Sequence, residues 1–326
     1  MISNVSINNF RGLKSINLDA LKRVTLISGK NNAGKSSILE GLFLMLDHIT
    51  PESFVKIRSF RGLPITTEPS ALWTPVFYGL NTENDLQISV CLNGMETTLT
   101  YSRDDSFVPY DTNGVPQDVL NQFVSSAKST YTLKFHFAHG DYTEDGHFIM
   151  NSSGMMRNVT TNDVNGQLHS MPFAQFINSS IINNDGVVTE WFGRLELEGK
   201  KEQIIEVLKN IDSSICDVST IALQGQPQLY AKMGEKLLPL KLAGDGINKL
   251  LFIVLAIIAN PNSIILIDEI ENGFHFSMYS KLWEIIAVTA KKNNCQIVAT
   301  THSYECIDGA VDGIEAALDG DGRPRE

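Results

Sequence analysis

The sequence predicts an α/β fold, with a mostly parallel core sheet covered by helices and a β-rich inserted lobe. Three observations lead there. An apolar strand, Lys22 to Ser28, runs through a glycine loop into a helix carrying Ile38, Leu39, Leu42, Phe43 and Leu46. The last third alternates short apolar strands with helices, as a parallel sheet buried on both faces requires. Between them, from about Pro51 to Pro227, alternating strands and turn residues take over. The expected core is therefore discontinuous, residues 1–50 with 228–326, and the lobe spans 51–227 with a helical segment near 185–210.

Bulk properties exclude some classes. A chain of 326 residues with 43% hydrophobic and 19% charged residues can bury a substantial core, so disorder is excluded. Its net charge of −11 excludes a uniformly basic surface; Lys56, Arg58 and Arg61 form either a small nucleic-acid patch or a solvated loop. The four cysteines lack C-x-x-C spacing, and Cys295 and Cys306 fall in apolar surroundings as small core residues. The N-terminus has no signal-peptide pattern, and the longest apolar run, Leu250 to Ala259, is too short to span a bilayer. A cytoplasmic protein without a membrane anchor is expected.

Taken in order, Ile2 to Ile7 alternate as an edge or half-buried strand, and Ser15 to Leu18 form a second. The helix after the glycine loop stops before Thr50-Pro51. Leu86–Leu92 and Glu96–Tyr101 flank Asn93-Gly94, a hairpin signal. Thr130–Ala138 and Gly146–Met150 flank a longer loop, His139 to Asp145, and Asn151–Gln167 reads as a surface loop. Asp185–Asn210 is helical with a break at Gly199, and Ile221–Leu223 and Gln228–Lys232 are short strands. Leu250–Asn260 and Met278–Ala290 are helices; Ser263–Ile267 and Gln296–Thr300 are buried strands. Gly313–Leu318 reads as a strand entering an Asp319-Gly320-Asp321-Gly322 turn, a hairpin and not a nuclease site.

Gly29-Lys30-Asn31-Asn32-Ala33-Gly34-Lys35-Ser36-Ser37 contains G-x-x-x-x-G-K-S between a strand and a helix. The glycines let successive N–H groups converge on an anion, and the helix start adds partial positive charge. Lys35 can reach β- and γ-phosphates, and the Ser36 hydroxyl can ligate Mg²⁺. Ile264 to Ile267 ends in Asp268-Glu269, where Asp268 can hold Mg²⁺ and Glu269 can orient or deprotonate a water. Asp268 lies too far after Ser36 for a small GTPase without a large insertion, which the β-rich middle supplies. His302 follows the strand Gln296–Thr300, at the sheet's carboxyl edge. Gly244-Asp245-Gly246, before a helix, has the geometry of a second anion cradle, suited to another subunit's nucleotide.

Asn9-Phe10-Arg11-Gly12, G-K-N-N-A-G-K-S-S, L-A-G-D-G-I-N-K, I-D-E-I-E-N-G-F-H and A-T-T-H-S-Y-E-C together resemble the ABC-type ATPases of the SMC/RecF/OLD group. The resemblance is closest to bacterial ATPases akin to the overcoming-lysogenization-defect (OLD) proteins. It implies the P-loop NTPase, ABC-ATPase head fold, with ATP and Mg²⁺ as ligand and cofactor. Lys35 and Ser36 would bind phosphate and metal, Asp268 would be the Walker B acid, Glu269 the catalytic base and His302 the switch histidine. Gly244 to Gly246 matches the signature loop completing a partner's site, Ile270 to His275 the D-loop, and Arg11 an arginine near the nucleotide. A Q-loop glutamine is implied beyond the first helix, with Gln87 as a weak match. The signature loop, A-G-D-G, has fewer donors than the fuller form, which implies slow turnover.

The expected function is an ATP-hydrolysing head that dimerises around ATP and regulates an effector, a nuclease or toxin, in antiphage defence. Two alternatives stay open: an ATP-gated scaffold sequestering a protein or nucleic acid with little turnover, and a DNA-repair ATPase of RecF/SMC type.

Overall fold

The structure is a computed structural model describing residues 1–66, 68–106, 132–151, 154–162, 171–178, 185–223 and 225–319. From the N-terminus come strands β1 (Ile2–Phe10), β2 (Leu13–Leu18) and β3 (Val24–Ser28), then helices α1 (Lys35–Leu46), α2 (Ser53–Ser59) and α3 (Pro69–Trp73). Strands β4 (Leu86–Leu92), β5 (Met95–Asp104), β6 (Thr132–His139), β7 (Tyr142–Asn151), β8 (Gly154–Asn162) and β9 (Ala174–Ile177) follow. Next are α4 (Asp185–Leu197), α5 (Lys201–Lys209), β10 (Ile215–Leu223), β11 (Gln226–Met233) and β12 (Lys236–Pro239). The chain continues through α6 (Asp245–Ala259), β13 (Ile264–Ile267), α7 (Tyr279–Lys292), β14 (Gln296–Thr301) and α8 (Tyr304–Asp319). It divides into two compact units, Met1–Leu21 with Glu40–Met171, and Lys22–Leu39 with Pro172–Glu326.

The first unit is built on an antiparallel sheet ordered β2-β1-β4-β5-β6-β7-β8. Period-two patterning drives it: in β4, Leu86, Ile88, Val90 and Leu92 are buried while residues between them are not. Asn93 (φ 52°) and Gly94 (φ 85°) both take the left-handed conformation of the tight turn joining β4 to β5. Phe54 of α2 meets Tyr101 edge-on at 5.2 Å, and Phe135 stacks on Phe148 at 4.8 Å, giving this unit an aromatic core.

The second unit holds a parallel sheet ordered β3-β14-β13-β9 and an antiparallel one ordered β10-β11-β12. Every residue of β13 and β14 is buried, which accounts for the unbroken apolar run of β13 and the apolar centre Ile297-Val298-Ala299 of β14. Residues 249–258 of α6 are buried as a continuous run, confirming a core helix at Leu250–Ala259. Among the described residues no helix is long and apolar enough to cross a membrane.

Several expectations change. Residues 154–162, read as loop, are β8 and pair with β7; 163–167 lie outside the described residues. Of the two alternatives for the first strand, the half-buried one holds: β1 is interior to its sheet, between β2 and β4, with Ile2, Val5, Ile7 and Phe10 buried. The loop joining β6 to β7 shrinks to Gly140-Asp141, because His139 pairs with Tyr142. Helix α1 is buried around its circumference from Ile38 to Leu46, Glu40 included, and not on one face. Gly313–Leu318 is the end of α8, not a strand. Its Cys306, Gly309, Ala310 and Gly313 are buried at helical spacing, and a Cβ on Gly313 would overlap the Ser280 carbonyl oxygen of α7. The glycine serves close helix approach. Gly320 to Gly322 lie outside the described residues.

One buried group makes the first unit acid-sensitive. His48 is 3% exposed and stacks on Phe137 at 3.7 Å, and burial, aided by Arg157, pushes its pKa from 6.5 down to about 4. Between those values the unfolded chain takes up a proton that the folded one refuses, so stability falls as pH drops from 6.5 towards 4. The term reaches about 3 kcal/mol. Urea unfolding of His48→Phe should show an acid loss smaller by that amount; equal losses in the two proteins would refute it.

Candidate active site

The phosphate loop occupies residues Gly29 to Ser37 at the carboxyl end of β3. Gly34 has φ 88° and Asn32 φ 61°, so two left-handed residues bend the loop before α1 begins at Lys35. Asn31, Asn32 and Ala33 are exposed, while Ser37 is buried at the helix start. The Lys35 ammonium donates to the carbonyls of Gly29 (2.7 Å) and Lys30 (2.9 Å), folding over the loop it belongs to. Those bonds are ones that phosphate oxygens can take over.

Opposite charge arrives from β13 and β14. Asp268 Oδ1 accepts hydrogen bonds from the Ser36 hydroxyl (3.0 Å) and from the buried Thr300 hydroxyl (2.6 Å). The parallel register brings this about, since β14 pairs with both β3 and β13 and carries all three strand ends to one edge. Ser36 and Asp268 give an all-oxygen donor set, the hard kind that Mg²⁺ takes, and the hydroxyl–carboxylate contact shows that both can face one ion.

Glu269 is bent out of the strand. Its φ is 49°, a left-handed value uncommon for a non-glycine residue. Its N–H donates to Thr300 Oγ1 (2.9 Å), and its carboxylate accepts from the Asn272 side-chain amide (2.7 Å). His302, just past β14, is clamped by Glu271: its Nδ1 lies 2.6 Å from Glu271 Oε1, and its backbone N–H donates to the same oxygen at 2.8 Å. The His302 side chain remains 43% exposed while Glu271 is buried, so the ring is oriented yet reachable.

The glycine loop differs from expectation in one respect. Asp245 and Gly246 form the first turn of α6, and only Gly244, with φ 116°, lies outside it as the N-cap. The helix therefore starts earlier than Leu250, presenting its exposed first turn at Gly244 and Asp245. A Cβ on Gly246 would sit 2.9 Å from the Gly273 carbonyl oxygen, so this turn abuts the segment Ile270–His275. The Asp245 carboxylate offsets part of the positive field there.

In the first unit, Arg11 takes φ 50°, and its Nε lies 2.9 Å from Glu40 Oε2, with Glu40 1% exposed. Burial lowers the Arg11 pKa to about 10 against the pull of Glu40. Arg61 grips the other edge of the same carboxylate at 2.7 and 2.9 Å. Lys56 pairs with Asp47 (2.7 Å), and Arg58 donates to the carbonyls of Pro64 and Ala71. The expected basic patch is thus neither free nor a loop: Lys56 and Arg58 lie on α2, and all three cations are bound within the unit. Gln87 is an exposed residue of β4 paired with Asn8.

Comparison with known proteins agrees with this geometry. Residues 1–142 match a family model described as "AAA ATPase domain", and residues 185–308 one described as "AAA domain, putative AbiEii toxin, Type IV TA system". The chain is a P-loop ATPase. An "ATP/GTP phosphatase" of Helicobacter pylori is 28% identical to the ATPase over 328 residues, covering 94% of this chain and 87% of that protein. "Uncharacterized protein MJECL10" of Methanocaldococcus jannaschii is 52% identical over 46 residues, 14% of this chain and 21% of that one. In fold the ATPase resembles an Smc head bound to the C-winged helix domain of ScpA, with TM-score 0.53 and 12% identity over 95% of this chain and 91% of that one.

Sequence reasoning missed three residues of this candidate site: Thr300, Glu271 and Lys249. Thr300 ends a strand that was recognised, but its hydroxyl's two partners come from another strand. Glu271 sits inside the I-D-E-I-E-N motif, two residues past Glu269, and only the fold places it beneath His302. Lys249 closes L-A-G-D-G-I-N-K and would pass for a surface lysine; it is 5% exposed.

Proposed function

We propose that this ATPase is an ABC-type, OLD-like head in which two copies close on two molecules of ATP and the cycle regulates an effector. The observation that carries the catalytic part is the Ser36–Asp268–Thr300 cluster with Glu269 turned out beside it. Lys35 and the N–H groups of Gly29 to Ser37 would bind the phosphates, and Ser36 and Asp268 would hold Mg²⁺. The ion, when bound, neutralises charge building between the β- and γ-phosphates. Glu269 takes the proton of the water whose oxygen attacks the γ-phosphorus, while the bond to the β-phosphate oxygen breaks to release ADP. His302, oriented by Glu271, donates to a γ-phosphate oxygen as charge grows there.

The dimer reading draws on Gly244, Asp245 and Gly246, the N-cap and first turn of a 15-residue helix, exposed at Gly244 and Asp245 and bonded to none of its own chain's phosphate-loop side chains in the bonds described above. The effector reading draws on the family resemblance, on the toxin–antitoxin wording of the second family model and on the Smc head's bound partner. Antiphage defence follows from the OLD likeness of L-A-G-D-G-I-N-K and A-T-T-H-S-Y-E-C. Light scattering tests the shared site: with Mg²⁺ and ATP, Glu269→Gln should double in mass from 36.1 kDa. A mass that stays at the monomer at saturating ATP removes it.

One observation favours the low-turnover scaffold as a second reading, the Asp245 carboxylate in the signature turn, which repels a phosphate. It predicts equally slow hydrolysis in wild type and Glu269→Gln with ATP-driven assembly intact. The DNA-clamp reading is weakened at Lys56 and Arg61, which pair with Asp47 and Glu40, and at Arg58, whose guanidinium is held by two backbone carbonyls.

A further inference from the structure

The ammonium of Lys249 is buried on α6, four residues after Asp245. It donates to the carbonyl of Glu269 at 2.7 Å and to that of Asn272 at 3.0 Å. Those two carbonyls bracket the turn that presents the proposed base. The turn is also closed from within, by the Asn272 N–H donating to the Glu269 carbonyl at 3.1 Å and by the Asn272 amide on the Glu269 carboxylate at 2.7 Å. A left-handed glutamate is strained and persists only where its surroundings over-determine it. Lys249 is the group here that binds both ends of the turn from another element.

The cation suits the place. Burial draws its pKa down to about 8, against the upward pull of Glu271, Glu269, Cys306 and Asp268. Its Nζ also lies 5.9 Å from the centre of the Phe274 ring. An ammonium, with three donors on a flexible stem, reaches two carbonyls that diverge, where a planar guanidinium could not follow. Lys249 and Gly246 share α6, and Gly246 touches Gly273, so the first turn of α6 and the Glu269 turn are joined at two points.

We propose that Lys249 is a positioning residue for ATP hydrolysis, tying the helix of the signature turn to the backbone of Glu269 and Asn272 and so aiming the Glu269 carboxylate. The proposal rests on Glu269 being the base. A double-mutant cycle separates the two claims. Lys249→Met should lower kcat about tenfold or more while the Kd for ATP moves less than about twofold, because the lysine touches the turn and not the phosphate loop. In a Glu269→Gln background the same change should have little further effect. Thermal melts confirm that each protein is folded, and should Lys249→Met not fold, Lys249→Gln is read in the same cycle. A kcat within twofold of wild type overturns the proposal, as does a full additional loss on top of Glu269→Gln, which would leave the base assignment standing. Wild-type kcat in Glu269→Gln itself removes the base assignment and this route together.

Discussion

Glu269→Gln is expected to cut kcat for ATP hydrolysis by about 10²–10³-fold while ATP binding persists. The groups proposed to hold the phosphates, Lys35 and the N–H groups of the loop, follow the end of β3. Glu269 lies two residues past the end of β13, and none of the hydrogen bonds described for it involves the loop. The amide keeps the shape and the bond with the Asn272 side chain by flipping its oxygen towards it, so the turn should survive. What disappears is proton acceptance. Single-turnover hydrolysis beside nucleotide binding at equilibrium reads both halves of the expectation. Loss of binding in parallel with kcat would assign Glu269 to the ligand and not to the water.

The largest stability effect is expected from Glu40→Ala. The Glu40 carboxylate is almost wholly buried and answers two arginines at once, Arg11 through Nε and Arg61 through a two-bond fork. Removing it strands the Arg11 guanidinium, 14% exposed, without its counter-charge. Breaking such a pair from one side costs about 3–5 kcal/mol. Arg61 is 40% exposed, so solvent takes over its share and most of the cost falls on Arg11. Urea denaturation should show the loss, and replacing the pair together, Glu40→Leu with Arg11→Met, should recover much of it. A cost below about 1 kcal/mol for Glu40→Ala would mean that water reaches Arg11.

Local grammar made much of the fold legible. Asn93-Gly94 announced its hairpin because two left-handed residues in a row admit few others. Strand β13 announced a parallel sheet because four apolar residues without alternation must be covered on both faces, and the Ile297-Val298-Ala299 centre of β14 pointed the same way. The misreadings share a cause. Asn151–Gln167 is polar enough for a loop, yet residues 154–162 pair with β7, and pairing is a property of the partner strand. Gly313 looked like a turn signal, but glycine also admits a neighbouring helix, and a six-residue window holds neither period clearly.

Lys249, Arg58, Arg61 and Glu40 are written in the sequence as ordinary surface charges. Each is instead a hub of hydrogen bonds made inside the protein. A charged letter does not reveal whether water or a carbonyl answers it, because that depends on residues scattered along the chain.

The G-x-x-x-x-G-K-S loop between a strand and a helix, the Asp268-Glu269 pair at a strand's end and the ATPase class were legible in the sequence alone, since each motif is a short run whose backbone conformation and donors are local. Only the tertiary structure decided that Thr300 joins Asp268 to Glu269, that Glu271 orients His302 and that Lys249 reaches the turn from the helix before β13. Those contacts span twenty or more residues, and hydrogen bonds of this reach exist only once a sheet register and a buried helix have fixed both ends.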